Sequence, residues 1–191
     1  MEGLVKQILA FHQRFFKVRN KRTRIVINLS VLESSIPGYF DGVSQSHSSK
    51  CGAGGLIILS SSSSVYWKIN IGSGSNTKGE LVGLWALLHL ARYFGISRFQ
   101  VFGDSMVIIK WFEGMQNLNV LSLDFWKDKI LKLKEDFEWI KAYHIYREFN
   151  NITDQLSKHA LESEENSPFW WIKMVRVLGP VQKFLLSDLV S

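Results

Sequence analysis

Two apolar segments of this chain run into an aspartate, and this feature constrains the fold more than any other. The first reads YFDGV, with Asp41 after two aromatic residues, and the second reads FQVFGDS, with Asp104 at its end. Both runs have the composition of buried strands, where a lone carboxylate is costly unless it is paired. If the two strands are neighbours in one sheet, the two aspartates lie side by side.

The segments around these two predict a mixed α/β domain. Apolar runs with partial alternation indicate strands, and apolar residues at helical spacing indicate helices, in the order β-β-β-α-β-α-α-β-α. The predicted strands cover residues 39–43, 51–59, 64–72, 99–104 and 140–146, and the predicted helices cover 76–95, 106–114, 122–137 and 152–162. This order indicates a mixed sheet with helices packed on it.

Composition limits the domain organisation. The chain has 191 residues, of which 46% are hydrophobic, and this suits one domain with a core. We expect a basic arm and linker over residues 1–38, the domain over 39–162 and a C-terminal tail over 163–191. No apolar run approaches the roughly 20 residues that a membrane span needs, so no membrane partner is expected.

The single cysteine, Cys51, excludes an intrachain disulfide. This favours a reducing compartment, so we expect an intracellular protein of the cytoplasm or the nucleus.

The positive charge of the chain belongs to its N-terminal arm. Residues 1–24 carry seven Lys and Arg residues against one acid, Glu2, whereas the rest of the chain holds 16 basic and 16 acidic residues. Such an arm would bind nucleic-acid backbones electrostatically. Residues 2–16 also have the helical spacing of an organellar presequence, although Glu2 and the lack of serine argue against one. A remnant of a longer polyprotein is a third interpretation.

Four acids stand in comparable positions of the predicted elements. Asp41 and Asp104 lie on or after strands, and Glu80 and Asp154 lie in the first turns of helices. Each alone has a structural explanation, because acids favour turns, caps and the positive ends of helices. Together they favour a metal site, because clustered carboxylates repel one another unless cations lie between them. Two Mg²⁺ ions in such a site can catalyse phosphodiester displacement.

Four segments of the chain together resemble the ribonuclease H family. They read YFDGVSQSHSSKCGAGGLI, SNTKGELVGLWALL, FQVFGDSMVI and HIYREFNNITDQLSKHAL, in the family's order and spacing over about residues 39–161. The resemblance is closest to the ribonuclease H domains at the end of reverse transcriptases from plant non-long-terminal-repeat retrotransposons. It implies an α/β, ribonuclease H-like fold with a five-stranded mixed sheet in the order 3-2-1-4-5 and helices on both faces.

The resemblance implies a metal-dependent endoribonuclease that cuts the RNA strand of RNA–DNA hybrids. Asp41, Glu80, Asp104 and Asp154 would be the catalytic acids that hold two Mg²⁺ ions, with Mn²⁺ as a substitute. His144 would assist proton movement or product release; its alternative is a structural histidine satisfied by a backbone carbonyl. The chain would also be part of a larger reverse-transcriptase polyprotein.

The same resemblance implies a set of substrate contacts. These are Gly42, Asn76, Ser105 and Asn150. For Asn76, the position also suits the N-cap of the predicted helix 76–95.

Several departures from the family pattern keep a second function open. Ser46–Ser49 replace the usual Gly-Asn-Pro-Gly turn, Thr77 replaces a second asparagine, and residues 114–121 replace a basic protrusion that grips the hybrid in some members. We therefore expect weaker hybrid binding, and the alternative is a nucleic-acid-binding module that kept the fold but lost turnover. An integrase-like strand transferase is a third candidate, against which the fourth acid, Asp154, argues.

Overall fold

A seven-stranded mixed sheet forms the centre of the structure. The computed structural model describes residues 35–45, 49–60, 62–164, 168–174 and 184–185, the last two ranges as backbone only. The strands are β1 Ile36–Ser44, β2 Lys50–Ser60, β3 Ser63–Ser73, β4 Arg98–Gly103, β5 Trp139–His144, β6 Pro168–Met174 and β7 Phe184–Leu185. The helices are α1 Asn76–Tyr93, α2 Met106–Phe112, α3 Asp124–Lys134 and α4 Asn151–Ala160.

The strand order places β1 at the heart of the sheet. The order is β5-β4-β1-β2-β3-β6-β7, with β1 antiparallel to β2 and parallel to β4. The predicted five-stranded order 3-2-1-4-5 is confirmed. The sheet then continues beyond β3 through β6, which pairs antiparallel to β3 from Ser63 opposite Met174 to Ile69 opposite Pro168. The tail predicted over residues 163–191 therefore contributes strands to the sheet.

The first strand is longer than the sequence predicted. It begins at Ile36 and includes Pro37, whereas the sequence predicted a linker up to residue 38 and a strand from Tyr39. Proline is compatible with the beginning of a strand, where one missing ladder hydrogen bond is tolerated. Of the arm and linker predicted over residues 1–38, residues 1–34 lie outside the described residues, as do residues 46–48.

Helices pack on both faces of the sheet, as predicted. Alternate residues of β1 point to opposite faces, so Phe40 packs in the large core with α1, while Tyr39 belongs to a smaller apolar cluster on the other face. On that other face α4 lies close to β2, because a Cβ atom at Gly54 would lie 2.5 Å from the Cβ of Leu156. The two faces thus present two different helices to the same strand, β1.

The beginning of α1 differs by one residue from the prediction. Ser75, and not Asn76, is the N-cap, and its Oγ accepts a hydrogen bond of 3.2 Å from the backbone N–H of Lys78. Glu80 is consequently the fifth residue of α1 and lies just past the first turn. Among the described residues, no helix is both long and apolar enough to cross a membrane.

Candidate metal centre

Three acids from three elements meet at the carboxyl end of β4. The parallel ladder between β1 and β4 ends two residues before Asp41 on one strand and two residues before Asp104 on the other. Glu80 reaches the same place from α1, which touches β1 at Gly42: a Cβ atom there would lie 2.1 Å from the backbone nitrogen of Glu80. A glycine at position 42 is therefore required for the helix to approach the strand so closely.

We call Asp41, Glu80 and Asp104 the three-acid cluster. Each side chain offers one carboxylate oxygen such that the three oxygens lie within 4.8 Å of one another. Asp41 and Glu80 are each only 4% exposed, and Asp104 is half-buried. The structure thus brings together three of the four predicted catalytic acids.

Burial and mutual repulsion both disfavour negative charge in this cluster. The pKa of Asp41 is raised to about 7, mainly by burial; a hydrogen bond from Ser157 opposes this shift, and the charges of Asp104 and Asp154 add to it. Burial, followed by the charges of Asp41 and Asp104, raises the pKa of Glu80 well above its usual range. Without a counter-ion, the cluster therefore takes up protons near neutral pH.

The donor set of the cluster fits a hard divalent cation. Oxygen ligands from carboxylates are the ones that Mg²⁺ and Mn²⁺ prefer in proteins. The Oε2 atom of Glu80 is buried and has no hydrogen-bond partner among the described residues, and such orphaned acceptors are rare in folded proteins. A cation bound here would give this oxygen a partner and would offset the repulsion between the three acids.

Asp154, the fourth predicted acid, is engaged differently. It lies in the first turn of α4 but is not a member of the three-acid cluster. Arg147 Nη2 lies 2.9 Å from its Oδ1, and Lys158 Nζ lies 2.6 Å from its Oδ2. Burial acts to raise the pKa of Asp154, but the hydrogen bonds from Lys158 and Arg147 outweigh it and hold the pKa below its usual value. Asp154 is therefore an ionised carboxylate held by two cations beside the cluster.

Two buried side chains from the α4 region contact the cluster from outside. The hydroxyl of Ser157 lies 2.8 Å from Oδ2 of Asp41 as a donor. The amide of Asn150 donates to the backbone carbonyl of Phe40 at 2.9 Å and lies 3.5 Å from Oδ1 of Asp104. Asn150 is 2% exposed, so where the sequence predicted a substrate contact the structure directs this amide inward, onto the cluster.

His144 lies at the end of β5, next to Asp104. Its Nε2 is 3.1 Å from the backbone carbonyl oxygen of Asp104, which can only accept a hydrogen bond, so the ring donates from Nε2 in this contact. Its ring also meets the edge of Tyr146 at a centroid distance of 5.8 Å. The contact with a backbone carbonyl is the structural alternative considered for this histidine, and it places the ring within the neighbourhood of the cluster.

The other predicted substrate contacts differ in their accessibility. Asn76 is the exposed first residue of α1, and Ser105 is half-buried directly before α2, where its hydroxyl does not cap the helix. Gly42 is buried against α1 and has no side chain to offer. Of the predicted contacts, Asn76 is the most available to a ligand.

Sequence reasoning missed three side chains that shape this site. They are Arg147, Ser157 and Lys158. Lys158 lies four residues after Asp154, the spacing at which opposite charges pair on a helix, so this contact was visible in the sequence. The contact of Ser157 with Asp41 spans 116 residues and depends on how α4 crosses the sheet, so no local pattern indicated it.

Comparison with known proteins places the chain in a family. Residues 39–160, more than half of the chain, match the family described as reverse transcriptase-like. No curated protein sequence matches the chain significantly.

Solved structures with similar folds are ribonucleases H. RNase H1 from the halophilic archaeon Halobacterium salinarum NRC-1 superposes with a TM-score of 0.61 at 24% identity, over 67% of this chain and 98% of that chain. The N-terminal RNase H domain of a Mycobacterium tuberculosis protein, solved as a fusion with maltose-binding protein, gives 0.61 at 22% identity, over 68% and 94%. LC11-RNase H1 in complex with an RNA/DNA hybrid gives 0.60 at 23% identity, over 67% and 97%.

These superpositions establish the fold, and the family match covers the segments that carry all four predicted acids. The chain therefore belongs to the reverse transcriptase-like family and has the ribonuclease H fold.

Proposed function

We propose that this chain is a metal-dependent endonuclease that cleaves the RNA strand of RNA–DNA hybrids. The observation that carries the proposal is the convergence of Asp41, Glu80 and Asp104, with their oxygens within 4.8 Å of one another and one oxygen of Glu80 unpartnered. The hybrid bound to a similar fold supports the choice of substrate. A distinction between RNA and DNA would come from contacts to 2′-hydroxyl groups in the minor groove.

The three-acid cluster would hold divalent cations, Mg²⁺ or Mn²⁺, and we propose two of them. When bound, the ions would supply an activated water and would stabilise the departing 3′ oxygen. Asp41 and Glu80 offer buried oxygens whose unfavourable charge the ions would offset. The half-buried Asp104 lies on the more accessible side of the cluster.

Asp154 and His144 complete the proposed catalytic set. Asp154 is already ionised, so it can serve as a ligand once its ion pairs with Arg147 and Lys158 loosen. His144, hydrogen-bonded to the backbone oxygen of Asp104, would move a proton during turnover. Asn76 would contact the hybrid from the exposed beginning of α1.

We also propose a retroelement origin, with this domain as part of a larger reverse-transcriptase polyprotein. The family description supports this origin. The seven cations of residues 1–24 would supply the backbone contacts that the nearly neutral remainder of the chain lacks. An intracellular location, in the cytoplasm or the nucleus, belongs to the same proposal.

Replacement of Asp104 by asparagine tests the catalytic assignment. We expect cleavage of a labelled hybrid in Mg²⁺ to fall by roughly 100-fold or more, because a metal ligand is lost and even its supporting residues matter at that level. The control is Asp128→Asn, which removes an exposed carboxylate of α3 and should leave the rate unchanged. Full activity of Asp104→Asn with an intact fold would refute the assignment.

A binding module without turnover is the second candidate function. The pairing of Asp154 with two cations favours it, because this carboxylate reaches a metal ion only after both ion pairs have broken. Hybrid binding measured together with cleavage across Mg²⁺ and Mn²⁺ concentrations separates the two functions. Binding without cleavage under all these conditions would decide for the module.

A further inference from the structure

The hydroxyl of Ser157 has an unusual position for a serine inside a helix. The residue is fully buried, and its Oγ lies 2.8 Å from Oδ2 of Asp41 and 2.9 Å from the backbone oxygen of Asp154. The second contact is the ordinary one, because serine hydroxyls in helices bond to carbonyls one turn earlier. Since a hydroxyl has a single proton, the two oxygens share one donor, and the carboxylate, when ionised, is the stronger acceptor.

Ser157 donates a hydrogen bond to the carboxylate of Asp41. Apart from Asp104, it is the one side chain that hydrogen-bonds to this carboxylate among the residues that the structure describes. A hydroxyl donor occupies only one of about four lone-pair directions of a carboxylate, so the other directions stay available to a cation. A contact of this kind orients a ligand without competing for the ion.

The position of Ser157 is itself fixed by close packing of α4 on β2. A Cβ atom at Gly54 would lie 2.6 Å from the backbone nitrogen of Ser157, and one at Gly52 would lie 2.7 Å from its backbone oxygen. Gly54 is directly opposite Asp41 in the β1–β2 ladder. The sheet therefore sets the distance between the hydroxyl and the carboxylate, with no freedom for the helix to slide.

We propose that Ser157 is a positioning residue, which holds the Asp41 carboxylate in the orientation that binds a divalent cation. This inference rests on the proposed function, since it assigns a role toward the metal ions of that site. Its effect is exerted through Asp41, and Ser157 itself touches neither ion nor substrate. Removal of the hydroxyl leaves Asp41 free to rotate away from Glu80 and Asp104, so the metal affinity falls while the chemistry at saturating metal is preserved.

The experiment compares the full-length chain with its Ser157→Ala variant. Titration with Mn²⁺ alone, by calorimetry, measures the dissociation constant directly, and we expect it to rise about tenfold, as for other residues that orient metal ligands. In hybrid cleavage, the Mn²⁺ concentration at half-maximal rate should rise by a similar factor. The maximal rate at saturating Mn²⁺ should stay within about threefold of that of the unaltered chain.

Thr153→Val is the matched control. Thr153 is also buried in α4, and within the described part of the chain its hydroxyl bonds only to the backbone oxygen of Asn150, at 2.9 Å. Its loss should lower the urea midpoint of unfolding as much as Ser157→Ala does, yet leave the Mn²⁺ dissociation constant unchanged.

The outcomes separate this inference from the proposed function. Equal Mn²⁺ affinity of Ser157→Ala and the unaltered chain would overturn the role of Ser157 and leave the proposed function standing. A lower affinity in both Ser157→Ala and Thr153→Val would show a purely structural effect and would also overturn it. Absence of Mn²⁺ binding to the unaltered chain would overturn the proposed function and this inference together.

Discussion

The side chains around Asp41 determine whether this carboxyl group is protonated or ionised. Asp41 is pushed toward its neutral form by burial and by Asp104, while Ser157 supports the ionised form. Asp154, three residues before Ser157 on α4, stays ionised because Arg147 and Lys158 form ion pairs with it. One carboxylate that is buried among other acids and one that is paired with two cations thus lie close together.

This contrast predicts how the stability of the metal-free protein depends on pH. The pKa of Asp41 is about 7 in the folded state and near 3.9 in the unfolded chain, so between these values the folded state binds more protons. The free energy of unfolding therefore falls as pH rises through this range: the contribution is fully present below about pH 4 and lost above about pH 7. Glu80 acts in the same direction.

Urea unfolding without metal checks this prediction. We expect a lower midpoint at pH 8 than at pH 5.5 and a smaller difference in Asp41→Asn, which cannot ionise. Asp128→Asn should keep the full difference, and 1 mM Mn²⁺ should raise the midpoint at pH 8, because the cation takes the place of the lost protons. A midpoint that does not depend on pH in the unaltered chain would contradict the assignment of the raised pKa.

Among secondary-structure elements, the contact between β1 and α1 is the most sensitive to substitution. Gly42→Ala would place a Cβ atom 2.1 Å from the backbone of Glu80, so the strand and the helix must separate. We expect a loss of about 3 kcal/mol of stability, typical of overpacking, and a loss of Mn²⁺ binding as Glu80 moves away from the cluster.

Gly83→Ala is the control for this contact. Its Cβ atom would lie 3.1 Å from the backbone oxygen of Asp41, a much milder approach, and alanine has the better helix propensity. Its loss of stability should be less than a third of that of Gly42→Ala, as measured by urea unfolding. Equal effects of the two substitutions would show that the close approach of β1 and α1 at Gly42 is not the reason for the loss of stability.

The elements that sequence reasoning predicted correctly are those with strong local signals. Apolar periodicity predicted the strands and helices along the chain, and the family resemblance implied the sheet order and the helices on both faces, which are confirmed. The strand β6 was not predicted, because Pro168 and the acidic, serine-containing segment before it indicate an irregular chain. The pairing of β6 with β3 depends on an available strand edge, which is a tertiary property.

In the candidate site, too, some features were predicted from the sequence and others were not. Asp41 and Asp104 were predicted from strand ends, Glu80 from the beginning of a helix and all three from the family pattern, and the structure brings them together. The inward direction of Asn150 was not predicted, because it depends on a contact with Phe40, 110 residues earlier in the chain. The pairing of Asp154 is local, since Arg147 precedes it by seven residues and Lys158 follows it by four, but it was not predicted either. Local sequence patterns identify the candidate acids, whereas tertiary packing determines which of them lie together in one site.

For the whole molecule, the separation of charge between arm and domain governs the proposed hybrid binding. Residues 1–24 hold seven cations against one acid, and the rest of the chain is balanced. Each phosphate contact by a cation contributes about −0.9 to the slope of log K against log salt on duplexes. If the arm makes most of these contacts, the slope depends on it more than on the domain.

Replacement of the seven Lys and Arg residues of 1–24 by glutamine tests whether the arm makes most of the phosphate contacts. We expect hybrid binding at low salt to weaken by at least about tenfold and the slope of log K against log salt to become shallower by about 3 or more. Lys132→Gln together with Lys141→Gln, two exposed lysines of the domain, serves as the control and should change the slope by less than about 2. An unchanged slope in the arm variant would place the phosphate contacts on the domain instead.

The central place of β1 also has a consequence for synthesis of the protein on the ribosome. Asp41 is translated before its partners: Asp104 follows 63 residues later, and Ser157 follows 116 residues later. A nascent chain that stops before α4 lacks Asp154 and Ser157, so Asp41 and Asp104 are present but the hydrogen bond from Ser157 to Asp41 is missing. The proposed metal site is therefore complete only when nearly the whole domain has left the exit tunnel, and a product that terminates before α4 would bind divalent cations more weakly.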